Sequence, residues 1–141
     1  MDEQGVKELE EVEKKKRQKR KNQRISKEEK RLRASYAKIP EDQMSIADGL
    51  IRRAAYMRVT LEDYEQDLDV GGYVELFTQS EKTSPYERER PVARLYNQMN
   101  RNYQQIIKQL ADMMPKGDGE GDKTPKDDGF EDFVDRRADG R

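Results

Sequence analysis

Residues 91–115 read PVARLYNQMNRNYQQIIKQLADMMP, the longest segment in which apolar residues recur at helical spacing between two prolines. Val92, Leu95, Tyr96, Met99, Tyr103, Ile106, Ile107, Leu110, Met113 and Met114 fall at helical intervals, the stripe that a helix buries on one face. Pro91 suits a first helical turn, where no backbone N–H is needed, and Pro115 cannot continue the ladder. A helix of this length is a rod of roughly 35 Å, and its apolar face needs a partner. Just upstream, Ile46, Leu50, Ala54, Met57, Leu61, Tyr64 and Leu68 form a heptad-like seam with charged residues between its members. The two stripes predict an antiparallel helical hairpin with both stripes in its core.

Composition limits the rest. Of 141 residues, 32% are hydrophobic and 42% charged, against the ~25% charge of an average globular protein. With no Trp and three Phe, a single core engaging the whole chain is not expected. The absence of Cys and His removes thiol nucleophiles, disulfides, imidazole bases and the usual zinc ligands. Neither an enzyme nor a bound cofactor or metal is therefore expected. The N-terminal MDEQGVKELEE is acidic without an apolar run, and no 18-residue apolar span occurs, so a cytoplasmic protein without a membrane partner is expected.

The net charge of −1 conceals segregation. Residues 1–13 carry one Lys against six acids, and residues 14–33 carry twelve Lys and Arg against two Glu. A partner meets the local patch rather than the average. Residues 1–38 are rich in strong helix formers. Val6, Leu9, Val12, Ile25, Leu32 and Tyr36 look too sparse to anchor this segment to a core, so a charged helical arm is expected, either projecting or ordered only when bound, with Glu10 supporting Lys14 and Glu11 supporting Lys15. Residues 39–115 form the hairpin core, entered at Pro40 with Asp42 or Ser45 as N-cap candidates. A kink near Val59 is an open alternative there. Gly71-Gly72 ends the first hairpin helix, and YVELF with the polar stretch after it suggests an extended or β-hairpin-like connector. Residues 116–141 read as a flexible, disordered acidic tail carrying one acidic-aromatic island. The fold expected is thus all-α.

The basic run is the strongest chemical signal. Cations on every side of a helix suit the phosphate backbone of nucleic acid and supply affinity with little reading of sequence. The expected DNA-binding residues are Lys14, Lys15, Lys16, Arg17, Lys19, Arg20, Lys21, Arg24, Lys27, Arg31 and Arg33. The carboxylates Glu62, Asp63, Glu65, Asp67 and Asp69 lack metal-site or acid/base spacing and read as the outer face of a helix. Tyr56, Tyr64, Tyr96 and Tyr103 lie on the helical stripes, which favours core or subunit interface over base stacking. In the tail, Phe130, Phe133 and Val134 fall on one face of a single helical turn and are the expected partner-binding anchors.

Three segments, AAYMRVTLEDYEQDL, GGYVELF and TSPYERERPVARLYNQMNRNYQQIIKQLADMMP, together resemble the small terminase subunit family of tailed bacteriophages. The most telling part is a Ser-Pro connector, Ser84-Pro85, before a Pro-Val-Ala-x-x-Tyr-Asn-x-Met-x-x-Asn-Tyr helix that ends in Ile-Lys-Gln-Leu and Pro. The resemblance covers about half the chain and implies a non-enzymatic DNA-packaging protein of the infected bacterial cytoplasm. It implies a ring-like homo-oligomer that binds double-stranded viral DNA and recruits the large ATPase and nuclease subunit. Residues 40–68 show no short turn between two compact helices, so DNA contact is expected from the arm rather than a helix-turn-helix. An RNA-binding or ribosome-associated helical protein and a structural coiled-coil scaffold are the alternative readings.

Overall fold

In the computed structural model, which describes residues 2–116, the chain begins with a cap. The Asp2 carboxylate accepts a hydrogen bond from the Gly5 N–H at 2.9 Å, satisfying a donor that a first turn leaves unpaired. Helix α1 (Glu3–Ser35) follows without a break, about 50 Å long. A 3₁₀ turn (Glu41–Gln43) leads into α2 (Met44–Gly71). Neither Asp42 nor Ser45 caps α2: its N-cap position is Gln43, which makes no side-chain capping bond. Helix α2 runs through Val59 unbroken, so the kink does not occur. Strands β1 (Val74–Phe77) and β2 (Tyr86–Glu89) pair antiparallel, Val74 opposite Glu89 and Phe77 opposite Tyr86. Helix α3 (Pro91–Met113) completes the described chain, with Pro91 in its first turn as expected.

The all-α hairpin of α2 and α3 with a short β connector is present as the sequence predicts. The arm differs from expectation over half its length. Residues 2–20 are exposed except half-buried Gly5, a projecting helix; from residue 21 onward α1 lies along α2. Leu32 is 2% exposed and shares one core with Ile39, Ala47, Ile51, Ala54, Ala55 and Leu110, with Ile25 and Tyr36 packed against it. A few large side chains thus anchor α1, because α2 presents alanines that let a neighbouring helix approach. The seam of α2 is shifted as well: Ile46 is exposed while Ala47 is buried, and Leu50, Met57 and Tyr64 are only half-buried. Ile51 and Leu110 are the largest fully buried side chains, each worth about 1.5–3 kcal/mol of burial. The docking island, Phe130, Phe133 and Val134, lies outside the described residues.

The junction between α2 and the hairpin rests on Gly72, whose φ of 77° and ψ of −180° lie in a region essentially reserved for glycine. Its N–H donates to the Leu68 carbonyl at 2.8 Å, and its carbonyl accepts from Arg90 Nη1 at 2.8 Å. The other Arg90 nitrogen donates to Asp67 Oδ1 at 2.9 Å, tying the start of α3 to the end of α2. Gly72→Ala is expected to lower stability by about 1–3 kcal/mol. Gly49→Ala, in open space within α2, should be neutral or stabilising by up to about 1 kcal/mol. Thermal unfolding of the two variants checks the contrast.

Candidate nucleic-acid interface

Lying antiparallel on α2, α1 meets a row of its charges. Arg33 pairs with Asp48. Arg58 Nε lies 3.5 Å from Glu28 Oε1. Arg24 donates to Asp63 Oδ1 at 2.6 Å and to Glu62 Oε2 at 3.1 Å. Lys21 Nζ is 3.8 Å from Asp63 and 5.0 Å from the centre of the Tyr56 ring, a cation–π contact. Within α1, Arg31 grips Glu28 through two hydrogen bonds of 2.6 and 2.9 Å. The hydrogen bond to Asp63 raises the Arg24 pKa against the opposing effect of burial. Lys21, Arg24, Arg31 and Arg33 therefore already face carboxylates, and their charge serves the α1–α2 contact or the helix itself.

The remaining expected cations are differently placed. Lys14, Lys15, Arg17, Lys19, Arg20 and Lys27 are exposed and make no ion pair among the described residues. Lys16 has only an exposed 3.8 Å pair with Glu13, and the expected Glu10 and Glu11 pairs do not form. At 100° per residue, positions 16, 20, 23, 27 and 30 share one face, with Lys19 beside them. This face points away from α2, which is met by positions 21, 25, 28 and 32. Two shallow grooves follow it, lined by Lys16, Lys19, Arg20 and Gln23 with Glu13 at one end, then by Lys19, Asn22, Gln23, Ser26, Lys27 and Lys30. Lys30, exposed and unpaired among the described residues, belongs to this stripe and escaped the sequence reading, although its spacing from Lys16, Arg20 and Lys27 was there to find.

From residue 16 to residue 30 the stripe spans about 21 Å, close to the rise of six base pairs of duplex. Its cations have the charge that attracts anions, and Asn22, Gln23 and Ser26 add neutral donors to the same groove. The opposite flank of the arm suits an anion less well. There an open cleft of about 1120 Å³ sets Lys14, Arg17, Arg20, Lys21 and Arg24 among Glu10, Glu13 and Asp63, and Lys21 and Arg24 are already paired with Asp63. On α2, Arg52 pairs with Asp48 at 3.3 Å, and Arg53 is exposed without an ion pair among the described residues.

The acidic run of α2 does not form an outer face throughout. Glu62 and Asp63 bind α1 and Asp67 binds Arg90, while Glu65 and Asp69 remain exposed. Among the described residues no group of three or more His, Cys, Asp or Glu is placed to hold a metal ion, and no helix is long and apolar enough to cross a membrane. Tyr56 is exposed beside Lys21, and Tyr64, Tyr96 and Tyr103 are half-buried.

Glu28 links this electrostatic contact to pH. Its side chain is 12% exposed, and the hydrogen bonds from Arg31, helped by the charges of Arg31 and Arg58, hold its carboxyl below the ordinary value against the effect of burial. A carboxyl depressed on folding stabilises the fold above its unfolded pKa, and this contribution is lost as pH falls through the folded pKa. Glu28→Gln is therefore expected to destabilise the protein at neutral pH, with the difference from wild type narrowing as acid protonates Glu28. Urea unfolding across the carboxylate range checks this.

Comparison with protein-family models, curated proteins and solved structures yields no match.

Proposed function

We propose that this protein is a DNA-packaging adaptor of the small terminase subunit type, which oligomerises, binds viral duplex DNA and recruits or regulates the large ATPase and nuclease subunit. The observation that carries the reading is the stripe of cations at positions 19, 20, 27 and 30, unpaired among the described residues, on the face of α1 turned away from α2. A rigid rod with cations along one side lies on a phosphate backbone without a fitted pocket. The resemblance of residues 47–115 to that family supplies the biological setting.

Incomplete coverage of the hairpin supports self-assembly. Most of the α3 stripe is only half-buried and Leu95 is exposed. Val70 is 90% and Leu76 74% exposed beside exposed Tyr73 and Val74, an apolar end that a lone subunit leaves in water. A closed homo-oligomer covers such faces. Phe130, Phe133 and Val134 are the proposed contact with the large subunit. Multi-angle light scattering with anisotropy titrations tests the reading: a discrete oligomer is expected, binding duplex DNA more tightly than RNA of equal length. A strictly monomeric protein, or one preferring RNA, overturns it.

A further inference from the structure

Among the described residues no other element covers the acidic tip of α1. Residues 2–20 are exposed except half-buried Gly5. Because α1 is one unbroken helix from Glu3 to Ser35, its acidic first third cannot fold back onto the basic stripe that follows. Val6, Leu9 and Val12, at 43%, 52% and 47% exposure, leave aliphatic surface open on this same segment. Positions 6, 9, 13, 16, 20, 23 and 27 alternate by three and four, so tip and stripe share one seam. Along that seam Val6, Leu9 and Glu13 are followed by Lys16, Arg20 and Lys27, an aliphatic and acidic end before a basic one.

We infer that two copies of the chain pair through their α1 arms in antiparallel orientation. With the centre between positions 14 and 15, Glu13 lies opposite Lys16 of the second copy, and Leu9 opposite the aliphatic stem of Arg20. Glu10 flanks Arg17 of the second copy, and Val12 is covered by the stem of Lys19. On the seam itself no like charges stand opposite one another; Lys14 and Lys15, which the register sets opposite at its centre, lie on the outer side of each helix. A parallel pair would set Glu13 against Glu13 and Lys16 against Lys16, which is unfavourable. The Glu13 to Lys16 pair within one helix, 3.8 Å long and exposed, is weak enough to be exchanged for the pair between copies. The contact is electrostatic, reversible and sensitive to salt. It shares Lys16 and Arg20 with the proposed DNA surface but does not rest on that reading: its failure would leave salt-dependent DNA binding unchanged.

The natural chain has no cysteine, so disulfide trapping reads the register directly. Full-length Leu9→Cys and Arg20→Cys proteins are oxidised separately and as a mixture, with circular dichroism confirming that both exposed substitutions leave the helices intact. In the antiparallel register the two Leu9 positions stand about 16 Å apart, beyond disulfide reach. The mixed disulfide is therefore expected to form about tenfold faster than either self-linked product, and to slow as salt rises. Glu13→Lys or Lys16→Glu alone should slow the mixed reaction, and both changes in one chain should restore it by exchanging the signs across the pair. Equal rates for all three products, dominance of the Leu9→Cys self-link, or a rate indifferent to salt and to charge reversal would each overturn the pairing.

Discussion

Gln in place of Lys16, Lys19, Arg20, Lys27 and Lys30 together is expected to weaken duplex binding by about 10²–10³-fold at low salt and to flatten its salt dependence. Five cations on five phosphates give a slope of about −4 to −5 in log affinity against log salt. The unmodified protein should therefore lose several hundred-fold in affinity between about 50 and 200 mM salt. The variant's slope should approach zero apart from what Lys14, Lys15 and Arg17 contribute. A companion variant with Arg24→Gln and Arg33→Gln separates charge in general from charge on this face. Those arginines bind Asp63, Glu62 and Asp48, so their loss should loosen α1 from α2, at about 0.2–1 kcal/mol per exposed pair, with the salt slope largely kept. If the stripe variant retained the natural affinity and slope, the DNA surface would have to lie elsewhere, with Arg53 on α2 the next candidate.

Leu110→Ala is expected to produce the largest loss of stability of any single truncation, about 2–5 kcal/mol. Leu110 is completely buried and stands where α1, α2 and α3 converge, in one cluster with Leu32, Ile39, Ala47 and Ile51. Its removal leaves a cavity that none of the three helices fills without leaving another. Against a total stability on the order of 5–15 kcal/mol, the change should lower the melting temperature by ten degrees or more at about 4–8 °C per kcal/mol. Leu95→Ala, on the exposed side of α3, should barely alter the melting of an isolated subunit. Calorimetry of both variants, at a protein concentration where light scattering shows the separated subunit, provides the measurement, and comparable losses at the two positions would contradict this account of the core.

The hairpin was legible because α3 repeats large apolar residues at helical spacing between two prolines, a signal that needs no knowledge of the partner. The docking of α1 was not. Its anchors, Ile25, Leu32 and Tyr36, are few, and their receiving surface is built partly from Ala47, Ala54 and Ala55. An alanine reads equally well as a spacer or as a close contact. Nor does sequence reveal which arginine meets which carboxylate when Arg24 and Asp63 stand 39 residues apart. The same gap explains the candidate interface: composition located the basic run, but only the placement of α2 divides its cations into those engaged by carboxylates and those facing water. Ile46 illustrates the limit from the other side, since it fits a heptad and yet points outward.

The unequal support along α1 has a kinetic consequence. A helical amide is protected only as well as the structure holding its turn. At salt high enough to separate paired arms, hydrogen exchange should therefore divide this single helix in two, with residues 3–20 exchanging by local fraying and residues 21–35 exchanging with the core. Lys- and Arg-specific proteolysis should follow the same gradient, cutting first in the cation-rich projecting part. The expected limit fragment begins near residue 21 and retains α2, the hairpin and α3, so a brief digestion would remove the exposed arm while sparing the segment that Leu32 anchors.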